Sequence, residues 1–211
     1  MTEVYLIRHS KPMKVDNQFN TDSLQVCNEK EILSIEGEQI AKNYFDQEMF
    51  DNIDFVFSSN YTRAIGTAKY LAQNNHTNIH IISALGERKF GVDKWNDLPK
   101  DFEDRQVQDE NYKMKNGESQ KEVKERMWEA LNQILTVCEG KKIAIVSHAT
   151  ALSFLLKKWC EMNYGSECFF EGTPFFDGIW NYCETFRLIF NSKKELQSIE
   201  NIRFKKEKIF K

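Results

Sequence analysis

Short apolar runs alternate along this chain with segments whose apolar residues recur every three or four positions. Residues 3–8 (EVYLIR), 53–59 (IDFVFSS), 78–85 (NIHIISAL) and 141–148 (KKIAIVSH) have the length and composition of strands. Between them, residues 33–50, 60–73, a long segment from 119 and residues 151–162 carry helical spacing. In 33–50 the apolar face is Ile40, Ala41, Tyr44, Phe45 and Met49. From 119 onward Val123, Met127, Ala130, Leu131, Ile134, Leu135 and Cys138 make one stripe, and Ser119 with Glu122 forms a capping box at its start. Ser59 or Asn60 is the expected cap of the 60–73 helix. Residues 179–190 alternate like a half-exposed strand, and 196–204 reads as one more.

Repeated strand–helix–strand order predicts an α/β fold with a mostly parallel sheet. With 211 residues, 41% of them hydrophobic, residues 1–211 suffice for one well-buried domain. Residues 92–118 break the pattern: they are polar and acidic, with Trp95 and Pro99 inside. A segment of that length is expected to be either a flap over a site or a solvated excursion.

Charge narrows the partners. Lys plus Arg number 29 against 32 for Asp plus Glu, a net charge of −3, so no global field draws in nucleic acid or anionic lipid. An anionic partner must be met by a local basic site. No apolar run approaches the length of a membrane span, and the N-terminus reads as a strand ending in Arg8, so a cytoplasmic location is expected. A homodimer is compatible with the sequence. The five cysteines are odd in number and widely spread, which suggests reduced, buried thiols and neither a disulfide framework nor a zinc site. The basic tail, Arg203 to Lys211, is expected to be a solvated terminus.

In a parallel α/β sheet, ligands bind beyond the carboxyl ends of the strands. Arg8 and His9 follow the first strand, Arg63 lies in the first helical turn after the second, Glu87 follows the third, and His148 follows the fourth. Any one of these has a plainer reading as a loop histidine or a solvated charge; their coincidence at one sheet edge points to a site. Two guanidinium groups and a helix N-terminus suit a phosphate. A neutral histidine can attack phosphorus, a second can hold charge on the transferring group, and a glutamate can protonate the leaving oxygen and then take a proton from water. His76 and His80 lie outside this pattern.

These residues carry a resemblance. LIRHS (6–10) resembles the LxRHG signature of the histidine phosphatase superfamily, the phosphoglycerate mutase-like proteins. LSIEGEQIA, SSNYTRAIGTA, LGERKFG, NGESQKEVKERM, IVSHAT and NYCETFRL resemble further family segments in family order, from residue 4 to about 188. The resemblance implies a three-layer α/β/α sandwich with a sheet of about six strands, one of them antiparallel within 181–190. It implies that His9 is the phosphorylated nucleophile, that Arg8, Arg63 and His148 bind the phosphoryl group, and that Glu87 is the general acid and base. It implies no metal and no cofactor. Ser10 and Ala149 stand where the family has glycine, so the pocket is expected to be tightened there.

The leading expectation is therefore a phosphomonoesterase acting on a small phosphorylated metabolite. One alternative is phosphoryl transfer of the phosphoglycerate mutase type, in which Arg88 would meet a substrate carboxylate. Another is a domain that binds a phospholigand without turnover. Phe169, Phe170, Phe175, Phe176 and Trp180 would either wall the pocket or pack the core. Asp97, Asp101, Glu103 and Asp104 would repel a highly anionic substrate if they faced it.

Overall fold

Alternate residues of the first strand leave for opposite faces of the sheet, and both faces are apolar. The structure, a computed structural model, describes residues 1–14 and 22–203. Its strands are β1 (Thr2–Arg8), β2 (Phe55–Ser58), β3 (Ile79–Ile81), β4 (Lys142–Ser147), β5 (Cys168–Phe170), β6 (Thr173–Phe176), β7 (Thr185–Phe190) and β8 (Leu196–Asn201). Its helices are α1 (Leu24–Lys30), α2 (Ile35–Tyr44), α3 (Thr62–Asn74), α4 (Phe102–Gln108), α5 (Gln120–Val137) and α6 (Ala149–Leu156). Val4 and Leu6 pack with Ile143 and Ile145 against residues of α5 and α6. Tyr5 and Ile7 pack with Ala144 and Val146 against residues of α3 and Ala41 of α2. The period-2 pattern thus produces the expected three layers.

Six strands form one sheet in the order β3-β2-β4-β1-β7-β8, and β5 with β6 makes a separate hairpin. The β3–β2, β2–β4 and β4–β1 pairings are parallel, while β7 runs antiparallel to both β1 and β8. The reversed strand lies within 181–190, as the resemblance implies.

Several local expectations are corrected. The helix expected over 33–50 stops at Tyr44, and a short 3-10 turn covers Glu48–Phe50. Phe45 and Phe50 are both buried, with ring centroids 5.1 Å apart. Five residues apart on a continuous helix they would face about 140° from each other, so the chain must turn to bury both. The strand expected over 78–85 is limited to Ile79–Ile81, a short sheet edge, followed by a 3-10 turn that buries Leu85. The helix expected over 151–162 begins two residues earlier and ends at Leu156, and the last strand-like segments shorten to β7 and β8. The N-cap of α3 is Tyr61, without a side-chain bond to the helix; the Ser59 hydroxyl accepts from the Tyr61 amide at 3.3 Å and also contacts His148. The capping box of Ser119 and Glu122 forms as read.

Helices α1 and α4 and the β5–β6 hairpin carried no recognised sequence signal. Phe175 and Phe176 are buried beside Phe186, so these two aromatics pack the core. Arg203 is held by Asp177 and Glu184 instead of being free in solvent, and residues 204–211 of the expected tail lie outside the described residues. Cys138, Cys160, Cys168 and Cys183 are buried, Cys27 is half-buried, and none of the five is joined in a disulfide. No described helix is long and apolar enough to cross a membrane.

Candidate active site

The pairing of β1 with β4 places Arg8 opposite Ser147, so His9 and His148 emerge side by side at the carboxyl edge. The His9 amide donates to the Ser147 carbonyl at 2.9 Å, which extends the ladder one residue past the strand. The two rings are buried, with centroids 5.1 Å apart and planes at 61°. A carbonyl only accepts, so the 2.7 Å contact to Ser10 O fixes the proton on His9 Nδ1. His9 Nε2 then carries the lone pair, and it accepts from Arg63 Nε at 3.0 Å. Arg63 Nη2 donates to His148 Nδ1 at 3.2 Å, and His148 Nε2 donates to Ser59 Oγ at 2.8 Å. One guanidinium therefore bridges two neutral imidazoles of defined tautomer.

Electrostatics agree with that protonation. Burial, followed by the Arg63 charge, holds His9 well below the usual imidazole range. Burial holds His148 well below it too, with His9 and Arg63 as the next causes.

Arg63 sits in the first turn of α3, almost wholly buried. Its Nη1 donates to the Asn28 carbonyl and lies 3.4 Å from Glu31 Oε2, and its guanidinium covers the Tyr61 ring at 4.9 Å. Tyr61 in turn packs edge-on against His148 at 4.5 Å. Arg8 ends β1. Its Nη1 donates to the Trp180 carbonyl at 2.8 Å and its guanidinium covers the Tyr182 ring at 4.9 Å. Arg8 Nε is buried and has no partner among the described residues, a donor left for an anion. The loop that supplies Trp180 and Tyr182 turns back into β7 through Cys183, whose φ of 58° is in the left-handed region.

Glu87 approaches from another direction. Its Oε1 accepts from the Arg88 amide at 2.9 Å and from the Ala151 amide at 3.0 Å. Ala151 lies in the first turn of α6, where N–H groups lack helical partners and are free to donate to Oε1. The loop bearing Glu87 is fixed by Arg126 of α5. Arg126 Nη1 donates to Ala84 O at 2.7 Å and Gly86 O at 3.0 Å, and Nη2 donates to Glu87 O at 3.1 Å. Its Nε and Nη2 meet the two oxygens of Glu118 at 2.7 and 2.9 Å.

The remaining expected site residues are placed less directly. Ser10 Oγ donates to Gly37 O at 2.7 Å and its amide donates to Thr67 Oγ1 at 2.9 Å, so Ser10 binds scaffold on both sides. Gly37 is required there: a Cβ would lie 2.0 Å from the Lys11 carbonyl oxygen. Ala149 is the first residue of α6 and half-buried. Arg88 is buried and held by the 92–118 segment. Its Nη1 donates to Gln106 Oε1 at 2.6 Å, Nη2 pairs with Glu103, and Phe90 and Phe102 lie within 4.8 and 5.3 Å of its guanidinium. Of the acidic residues expected to repel an anion, Glu103 pairs with Arg88, Asp101 with Arg105, and Asp97 caps the Lys94 amide. His80 stacks on Phe57 at the sheet edge, and His76 lines an open surface hollow of about 550 Å³ at the far end of α3 from Arg63. Among the described residues no group of three or more His, Cys, Asp or Glu is placed to hold a metal ion.

Sequence reading missed Glu31, Tyr182 and Arg126, took Ser59 only for a helix cap, and named Trp180 only as a pocket wall or core aromatic, not for the carbonyl that holds Arg8. Only Arg126 left a usable trace, the Glu and Arg eight residues apart in GESQKEVKER.

The sequence pattern of the histidine phosphatase superfamily (branch 1) matches residues 4–167. The chain belongs to this superfamily. A probable phosphoglycerate mutase of Salmonella arizonae is 28% identical over 163 residues, which span 74% of each chain. Among solved structures, a mycobacterial glucosyl-3-phosphoglycerate phosphatase aligns with a TM-score of 0.68 at 13% identity, covering 94% of this chain and 99% of its own. A phosphoserine phosphatase of Entamoeba histolytica aligns with a TM-score of 0.64 at 21% identity, covering 95% and 97%. At these identities the structural likeness establishes the fold: a phosphoglycerate mutase-like α/β sandwich.

Proposed function

We propose that this superfamily member is a phosphomonoesterase that hydrolyses a small phosphorylated metabolite through a phosphohistidine on His9. The observation that carries the reading is the His9 ring, whose Nδ1 proton is fixed by Ser10 O and whose Nε2 lone pair faces Arg63 and His148. In this reading the phosphoryl oxygens take over the Arg63 donors now on the two imidazoles and meet Arg8 as well. The dianion raises the proton affinity of His148, which turns from acceptor to donor at Nδ1. His9 Nε2 attacks phosphorus as the bond to the leaving oxygen breaks, and the Glu87 carboxyl supplies the proton that oxygen needs. Glu87, now ionised, takes a proton from water as the water oxygen attacks the phosphohistidine. Inorganic phosphate leaves and His9 returns with its lone pair.

Hydrolysis is preferred to transfer because Arg88, the residue that would read a substrate carboxylate, has both terminal nitrogens turned to Gln106 and Glu103, which leaves only its buried Nε without a partner among the described residues. The two phosphatases of like fold point the same way, and one of them is described in complex with phosphoserine, a small phosphorylated ligand. Phosphoryl transfer remains the second reading, on the likeness to probable phosphoglycerate mutases. A panel of phosphorylated metabolites, with product analysis, separates the two. Release of inorganic phosphate, with an acid-labile, alkali-stable phosphate trapped on His9, is expected. Isomerised product without phosphate release would replace hydrolysis with transfer, and binding without either would remove catalysis.

A further inference from the structure

Every nitrogen of Arg63 is occupied: Nε by His9, Nη2 by His148 and Nη1 by the Asn28 carbonyl. Those three bonds fix the guanidinium in its plane. Glu31, the C-cap of α1, adds a carboxylate 3.4 Å from Nη1 that makes no hydrogen bond among the described residues. About a third of its side chain is exposed, while that of Arg63 is 5% exposed. Burial pushes its carboxyl above the usual range, with Arg63 opposing. A negative charge has therefore been placed beside the arginine that must bind an anion, where orientation does not require it. On the nearer side stand Tyr61 and the Arg63 guanidinium, and Glu87 also lies within electrostatic reach of Arg63.

We propose that Glu31 is a resident counter-anion of the phosphoryl site, which competes with phosphate for Arg63 and speeds the departure of product. This rests on the phosphatase reading for its purpose, but not for its measurable core. Two anions sharing one guanidinium repel each other, and in a partly buried site that repulsion is poorly screened. A weak ground-state hold on phosphate suits an enzyme whose product is phosphate itself, because interactions equal in ground and transition states do not raise turnover.

The test is calorimetric titration with inorganic phosphate at pH 7.5 of the unaltered protein, Glu31→Gln, Glu31→Ala and Glu139→Gln. The last removes the same charge from an exposed position on another face. Both Glu31 variants should bind phosphate roughly three- to tenfold tighter, as expected for removal of a nearby like charge. Glu139→Gln should match the parent. Product inhibition of p-nitrophenyl phosphate hydrolysis should tighten by the same factor in the Glu31 variants. Weaker binding in either folded Glu31 variant, checked by thermal melting, would mean that the carboxylate orients Arg63, and unchanged binding would mean that it is screened. Either result overturns the proposal. If phosphate binding tightens but no substrate is hydrolysed by the parent, the counter-anion stands and the phosphatase reading falls.

Discussion

His9 and His148 stand one residue past two paired central strands, whereas Glu87 stands in a loop beyond the short edge strand β3. The first pair needs little outside help: sheet register sets their spacing, and the ladder continues through the His9 amide. Glu87 has no such register. Its place is set by Arg126, which reaches from α5 to the carbonyls of Ala84, Gly86 and Glu87, and by the α6 amide that donates to Oε1. One side of the site is built by the backbone of the sheet and the other by one side chain. The difference predicts where the site should be brittle to chemistry and where it should be brittle to geometry.

The largest expected effect belongs to the sheet-built side. His9→Ala should abolish turnover, since it removes the Nε2 lone pair proposed to attack phosphorus. Arg63→Ala should cost about 2.7–4 kcal/mol of transition-state stabilisation, in the range for loss of one charge-stabilising donor. Its loss also frees the two imidazoles it bridges, so single-turnover rates should fall along with steady-state kcat. Stopped-flow measurement with p-nitrophenyl phosphate checks this. A kcat within tenfold of the parent for Arg63→Ala would show that the bridge is incidental.

Arg126→Gln should act on the loop-built side alone. Glutamine cannot reach all five acceptors, so the backbone around Glu87 loses its fixed position, and a displacement near 1 Å can cost about 100-fold. The loss should appear with poor leaving groups, such as alkyl phosphates, which in the proposed mechanism take a proton from Glu87. It should be small with p-nitrophenyl phosphate, whose leaving oxygen needs little help. Arg126→Lys should recover less than half of the loss on a logarithmic scale, because a point charge cannot fork between Glu118 and the carbonyls. Equal losses on both substrates would reduce Arg126 to a stabilising residue.

That asymmetry also explains what could be read in advance. The strands carrying His9 and His148 announce themselves through apolar runs, and strand ends are where such sheets place chemistry. The layers followed from alternation in EVYLIR and IAIV. Phe45 and Phe50 could not be placed, because a turn that buries both looks like a helix until the core is known. Ser59 looked like a helix cap, since its sequence position suits one; its service to His148 depends on β2 lying next to β4. Glu31 and Tyr182 were invisible for the same reason: each meets an arginine distant in sequence. Arg88 sat in the right motif, but its direction was decided by Phe90, Phe102 and Gln106.

The smallest effect per group is a pH dependence of stability, and it too should track the sheet-built side. Both imidazoles are held well below their usual range when folded, chiefly by burial. In the unfolded chain each titrates near pH 6.5. Above that value the rings are neutral in both states and contribute no slope. As the pH falls below 6.5 the unfolded chain takes up protons that the folded protein refuses, so stability declines until the lower folded values are reached. One pH unit below 6.5 the loss is about 1.4 kcal/mol for each imidazole. Urea unfolding between pH 7.5 and 5.5 measures it, and His148→Gln should remove close to half of the acid-side decline contributed by the pair. Inorganic phosphate should also flatten the decline, because a bound dianion favours the imidazolium form of His148 and so restores proton uptake to the folded state. A parent whose stability is level across this range, or whose slope His148→Gln leaves untouched, would mean that the two rings are not held neutral by their burial.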